Sequence, residues 1–100
     1  MKDNTPEFLE EMNRLAEQAT HHGGYRLLAP LIKYDKDKVV ELGEKLGVPW
    51  EYTYSCYAGH GFRRVGGRRL PVHCGVCSNC ARRKVAFRDA GVRDPSVYAA

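Results

Sequence analysis

Apolar positions in the first twenty residues fall at three- and four-residue spacing. Phe8, Leu9, Met12, Leu15, Ala16 and Ala19 make one stripe along a helix. Thr5 suits the N-cap and Pro6 the first helical position. Glu10 and Arg14 are spaced as an i,i+4 pair. The helix is expected to fade near Thr20 and stop at Gly23–Gly24, with His21 and His22 in its last turn as caps or solvent contacts.

The next apolar stretch, Tyr25 to Ile32, is short and carries Pro30. It predicts an edge or terminal strand over about 26–29, ending where proline removes a ladder donor. A second helix follows Tyr34 or Asp35. Val39, Val40, Leu42, Gly43 and Leu46 form its apolar side, and Gly47 with Pro49 stops it. Strand then helix reads as half of a βαβ unit. A single strand has no partner in the pattern, so a sheet is missing from it.

Beyond Pro49 the periodicity weakens. Trp50 to Tyr57 is aromatic, and a short helix or turn is expected to present Cys56, with Trp50 and Tyr54 as packing residues. The stretch 59–71 is rich in glycine and arginine. It predicts an exposed loop, or a short hairpin turning at Gly66–Gly67. Arg63, Arg64, Arg68 and Arg69 could grip phosphate or RNA there, or merely stay solvated. A last helix runs from about Asn79 to Ala90. Val85, Ala86, Phe87 and Ala90 face its buried side; Arg82, Arg83, Lys84 and Arg88 make a basic surface. Asp94–Pro95 then turns into a short tail.

The cysteines change the picture most. All four lie at Cys56, Cys74, Cys77 and Cys80, the last three at a repeated spacing of three. A C-x-x-C turn aims two thiolates at one ion, and four thiolates complete the tetrahedron zinc prefers. Gly75 would let the backbone fold tightly between the first two ligands. Cys80 would ligate from the first turn of the last helix, where free N–H groups favour a thiolate. An iron–sulfur cluster with Cys56 as its fourth ligand is the alternative. Disulfides are disfavoured, because adjacent C-x-x-C units are awkward to cross-link and no secretory pattern is present. His60 and His73 are expected at the surface or behind the ligands.

Composition adds limits. With 100 residues and 43 % hydrophobic content, the core is modest, and metal binding is expected to supply much of the stability. The formal charge of +4 would fall to about +2 with four thiolates and one dication, a weak case for polyanion binding. No apolar run is long enough to span a membrane, and a reducing cytoplasm is the default for metal-binding thiolates. There is no phosphate-binding glycine loop and no open metal position, so no catalytic residue stands out.

The set Trp50-x-x-x-Tyr54–Ser55–Cys56–Tyr57, Cys74–Gly75-x-Cys77-x-x-Cys80-x-x-Arg83-x-x-Ala86–Phe87 and Gly91–Val92-x-Asp94–Pro95 resembles the 7-cyano-7-deazaguanine synthase family. So do Ala29–Pro30–Leu31, Lys36, Val39–Val40, Leu42–Gly43 and Leu46–Gly47–Val48–Pro49, and the start from Pro6 to Asn13. The resemblance implies an α/β parent fold of the adenine nucleotide α-hydrolase type. This chain would be its mostly helical C-terminal portion, with a short strand and a four-cysteine zinc lobe but without the nucleotide-binding sheet. Residues 1–49 would be a helix–strand–helix part of the α/β domain, and 50–100 the zinc lobe.

The resemblance further implies an ATP-dependent ligase that makes 7-cyano-7-deazaguanine from 7-carboxy-7-deazaguanine and ammonia, on the route to queuosine. Cys56, Cys74, Cys77 and Cys80 would carry structural zinc. Lys36, with Arg63 and Arg64, would be candidates for contact with substrate or phosphate. ATP and Mg²⁺ would enter only through an N-terminal ATP-binding domain or subunit, the expected partner, and a homodimer is plausible for the family. The family's phosphate loop is absent from this sequence, so a fragment, a split subunit and a standalone descendant all stay open. By itself the chain is expected to be inactive. A non-enzymatic zinc module binding RNA or a protein is the rival.

Overall fold

The computed structural model describes residues 2–100. The chain forms two compact units, one up to Tyr34 and one from Asp35 to Ala100. This contact boundary differs from the 1–49 and 50–100 division implied by the parent fold, because the second helix packs with the cysteine lobe.

The first unit opens with a 3-10 turn at Lys2–Asn4 and continues into α1, Pro6–Ala19. Thr5 caps α1 through its hydroxyl, which accepts from the Phe8 amide at 3.2 Å. The helix closes at Thr20, whose N–H and hydroxyl both donate to the Ala16 carbonyl. His21 and His22 therefore lie past the cap rather than in the last turn, ring against ring at 4.5 Å. Arg14 pairs with Glu11 at 3.0 Å rather than with Glu10. No residue of α1 is buried, although its apolar stripe is well formed.

The strand expected over 26–29 does not form. From Gly23 to Ala29 the backbone has no regular pairing: the Gly24 amide donates to Glu17 Oε2, the Ala29 carbonyl accepts from Ile32, and Leu27 is held through both its backbone groups by the side-chain amide of Asn13. A strand needs a neighbour's row of donors and acceptors, and one amide supplies a single residue's worth.

The second unit begins with α2, Lys36–Lys45, after Asp35. Val40 and Gly43 are its buried residues; Leu46, expected on the apolar side, is 73 % exposed. A 3-10 turn follows at Trp50–Tyr52. The arginine–glycine stretch is a hairpin, β1 Phe62–Val65 and β2 Arg68–His73, with Phe62 opposite Pro71 and Val65 opposite Arg68. Gly66 and Gly67 both have positive φ, as a two-residue turn that follows the strand twist requires.

Strand β2 is buried from Leu70 onward, while β1 is exposed throughout. The tail adds β3, Val97–Tyr98, parallel to β2 at Val72 and His73. The sheet order is β1-β2-β3. No sheet larger than this occurs among the described residues.

Helix α3, Ser78–Ala90, packs on α2 around Val40, Ala86 and Phe87, with Trp50, Ala90 and Val92 at the margin. The Trp50 ring meets Phe87 edge-on at 5.3 Å. Two positions on α3 depart from expectation: Val85 is exposed, and Arg83 is buried. Arg83 shares a helix face with Cys80, Ala86 and Phe87 at three- and four-residue spacing, unlike Arg82 and Lys84; its charge reads as surface, although its position marks the inner side. No helix among the described residues is long and apolar enough to cross a membrane.

Candidate metal centre

Three local structures bring four sulfurs together. Cys56 follows the Trp50–Tyr52 turn, Cys74 follows β2, and Cys77 and Cys80 belong to the start of α3. Between the first two knuckle cysteines, Gly75 sits at φ +84°, and a Cβ there would come 2.3 Å from the Ala100 carbonyl oxygen. Cys77 is the N-cap of α3, its sulfur accepting from the Cys80 amide at 3.4 Å in the role a serine or aspartate usually plays.

Backbone amides surround the cluster. Cys56 Sγ accepts from the Cys74 and Ala58 amides at 3.2 and 3.3 Å. Cys74 Sγ accepts from Val76 and Cys77, and Cys80 Sγ from Gly75. Each such N–H favours the thiolate. The Cys74 and Gly59 amides are the chief reasons the Cys56 thiol falls to about 5. The Tyr57 and Cys80 amides lower Cys77. Burial pushes Cys80 the other way, up to about 12. The helix N-terminus thus does not make Cys80 the most acidic of the four; complete burial outweighs it, and a cation would have to compensate its charge.

All four sulfurs lie within 4.8 Å of one another, and Cys74 Sγ stands 3.8 Å from Cys80 Sγ. An ion bonded to four sulfurs at about 2.3 Å would hold them about 3.8 Å apart. The donor set therefore fits one tetrahedral metal ion. A cubane iron–sulfur cluster would attach its thiolates to four separate irons, further apart than sulfurs sharing one ion. No disulfide joins the cysteines. Four protein ligands leave no open position, which is the pattern of a structural site.

His73 is not a surface residue. It is fully buried, with its ring between Tyr54 at 4.8 Å and Tyr98 at 5.5 Å, and neither ring nitrogen has a hydrogen-bond partner. Burial first, then the Arg83 charge, lowers its pKa. It is not part of the ligand cluster, and His60 is exposed.

Arg83 holds the lobe together. Its guanidinium donates to Ser96 Oγ at 2.8 Å, Ser55 Oγ at 3.1 Å, Thr53 Oγ1 at 2.6 Å and the Trp50 carbonyl at 3.2 Å. It thereby ties the Cys56-bearing segment and the tail to α3. The tail is fastened a second time by Asp94, which accepts from the Ser96 amide and the Tyr98 hydroxyl. Burial alone would raise the Asp94 pKa, but those hydrogen bonds hold it below the ordinary value.

The other candidate contacts stand apart from the sulfurs. Lys36 opens α2 and lines a shallow cleft of about 320 Å³ with Ala81, Arg82, Val85 and Ala86. Burial, then the Arg82 and Arg83 charges, lowers its pKa. Arg63 and Arg64 lie on exposed β1, where Arg64 donates to the Gly67 carbonyl at 3.4 Å. Arg68 pairs with Glu51 at 3.2 Å, and Arg69 stacks on Phe62 at 4.1 Å.

The family described as "Queuosine biosynthesis protein QueC" matches residues 2–91. A protein of Methanothermobacter thermautotrophicus named 7-cyano-7-deazaguanine synthase is 47 % identical over 96 residues, which are 96 % of this chain and 38 % of that protein. Proteins of the same name from Methanobrevibacter smithii and Nostoc punctiforme are 42 % and 40 % identical, with 37 % and 41 % of their lengths covered. The chain thus spans about two fifths of the curated relatives it matches. No solved structure matches it. With the serine-cysteine-tyrosine turn and the triple-cysteine knuckle folded around one point, the chain belongs to the QueC family of 7-cyano-7-deazaguanine synthases.

Proposed function

We propose that this chain is the zinc-bearing C-terminal portion of a synthase that converts 7-carboxy-7-deazaguanine, ammonia and ATP to 7-cyano-7-deazaguanine. The observation that carries this is the family match together with four sulfurs gathered within 4.8 Å. Cys56, Cys74, Cys77 and Cys80 would hold the zinc, whose role is to fix the lobe rather than to polarise substrate. ATP and Mg²⁺ would bind in the nucleotide-binding part of the synthase, which is the partner of this lobe. In the reaction, the carboxylate attacks ATP to give an acyl-adenylate and pyrophosphate, and ammonia displaces AMP to give an amide. A second activation of the amide oxygen allows its loss and leaves the nitrile. Lys36, beside Arg82 at the head of α2, supports contact with an anionic group of substrate or nucleotide.

One specific feature favours a second reading, an RNA-binding zinc module: Arg63, Arg64, Arg68 and Arg69 all sit on an exposed hairpin. The test combines the purified chain with a nucleotide-binding part from a relative and assays nitrile formation. Turnover that needs both parts supports the synthase. RNA binding that weakens steeply with salt, with no turnover, supports the rival. Metal analysis should find one zinc per chain; iron and sulfide would overturn the metal assignment.

A further inference from the structure

The hairpin β1–β2 carries different residues on its two faces. Side chains alternate along a strand, and residues opposite each other in an antiparallel pair share a face. With Phe62 opposite Pro71 and Arg64 opposite Arg69, these four lie on one face; Arg63, Val65, Arg68 and Leu70 lie on the other. On the second face Leu70 is buried and Arg68 pairs with Glu51. On the first, no carboxylate of the described residues lies within ion-pair distance of Arg64 or Arg69. Arg64 donates to the Gly67 carbonyl at 3.4 Å, which leaves its charge in place. Like charges directly opposite each other weaken a strand pair, and an anion between them would relieve the repulsion.

The same face is aromatic. Phe62, 57 % exposed, joins Tyr52 and Tyr54 with Gly61, Arg69 and Pro71 around a cleft of about 360 Å³. The Arg69 guanidinium lies over the Phe62 ring at 4.1 Å. Tyr54 packs on the buried His73 at 4.8 Å, so its ring is held in place before any ligand arrives. Single exposed aromatics are ordinary on a protein surface, but three around one cleft leave a joined apolar patch open to water. Aromatic rings and a guanidinium plane are the surfaces on which unpaired bases stack, and guanidiniums bind phosphate through two parallel donors. A carboxylate-rich peptide would satisfy the arginines and leave the rings bare.

We propose that this face, Tyr52, Tyr54 and Phe62 with Arg64 and Arg69, binds an unpaired nucleotide of a single-stranded nucleic acid, its base on the rings and its phosphate between the two arginines. The proposal deepens the nucleic-acid reading of the hairpin, on which it rests for the class of ligand, by naming the face and two of the four arginines. A free nucleotide offers one base and one phosphate position, whereas a strand also brings neighbouring phosphates under the hairpin's positive charge. Nitrile formation is a separate readout and does not bear on the site.

The test titrates the zinc-loaded chain into an unstructured, fluorescein-labelled decaribonucleotide and follows anisotropy at about 0.15 M salt, where charges more than about 8 Å apart are largely screened. Phe62→Leu keeps an apolar strand residue but removes the ring, and should weaken binding about tenfold. Arg64→Ala should weaken it too, and lower the slope of log Kd against log salt by about one. Arg63→Ala removes the same charge from the opposite face and should change Kd less than about twofold. Metal content and circular dichroism check that the variants are folded. Equal losses from Arg63→Ala and Arg64→Ala would leave the nucleic-acid reading standing and remove this face, whereas no binding at all would remove both. Phe62→Leu binding as the parent does, or polyglutamate displacing the label as well as unlabelled RNA does, would overturn the base stack. AMP binding as tightly as the decamer would overturn the strand.

Discussion

Arg83 Nη2 donates to Thr53 Oγ1 at 2.6 Å, across thirty positions of sequence, and the arginine is only 6 % exposed. Among the described residues it has no carboxylate within ion-pair distance. Its charge is met by four neutral acceptors, by the Phe87 ring at 5.5 Å and by the field of Asp94. Arg83→Ala would take the donor from Ser55 Oγ and Ser96 Oγ and open a void beside Thr53 and the Trp50 carbonyl, which keep their bond to each other. A loss of about 3 kcal/mol is expected from these unpaired groups. Arg83→Lys should recover little of it, since an ammonium cannot reproduce the planar fork. Denaturant unfolding followed at Trp50 measures both.

Gly43 of α2 faces the Trp50 ring so closely that an added Cβ would sit 2.3 Å from Cζ2. Alanine is the better helix former by about 1 kcal/mol, which alone predicts stabilisation. The clash should win, because Trp50 is wedged against Phe87 and cannot withdraw freely. Gly43→Ala is expected to be destabilised by about 1–2 kcal/mol net. A midpoint above that of the parent in urea would show that the ring has room to move.

A metal held by the four sulfurs would join the Cys56 turn, the end of β2 and the start of α3, so its removal is expected to destabilise the second unit even with the Arg83 ties in place. A chelator is expected to red-shift Trp50 emission, the only tryptophan in the sequence, and to reduce helical circular dichroism. Cys77→Ser should bind metal at least about tenfold more weakly, because a hydroxyl is a poor substitute for a thiolate on zinc. Equal metal content and equal stability of parent and variant would remove the structural role.

The Asp94 carboxylate fastens β3 by accepting from the Ser96 amide and the Tyr98 hydroxyl. Its folded pKa lies below the ordinary 3.8. The stability it supplies is therefore complete above the unfolded value and is lost as pH falls through the lower, folded value. Asp94→Asn should be less stable than the parent near neutrality, and the gap should close as pH drops below about 4. Unfolding curves of both proteins over that range test the sign, and a gap that widens in acid would refute it.

Much of the candidate site was legible because it is local. The spacing of Cys74, Cys77 and Cys80 and the glycine between the first two are written over seven consecutive residues, and the helix continues directly from them. Thr5–Pro6 and Gly66–Gly67 were legible for the same reason: caps and tight turns are set by the residues that make them. Arg83 was half legible: its spacing from Cys80, Ala86 and Phe87 sets it on the inner face, but a charged side chain reads as solvated until its acceptors are placed. Strand β3 was not legible, since its two residues carry no period and pair only because Asp94 and Arg83 fix the tail beside β2. The strand expected at 26–29 shows the converse. Composition favours an extended chain there, but pairing depends on a neighbour that these residues do not contain.

The sequence by itself determined the three helices, the hairpin turn and which side chains can ligate a metal, because each depends on residues within a few positions of one another. Tertiary structure decided that Cys56 joins the other three sulfurs, that Arg83 turns inward and that Leu27 is held by a single asparagine. These are contacts between segments far apart in the chain, and their energies exist only once the backbone has brought the groups within bonding distance.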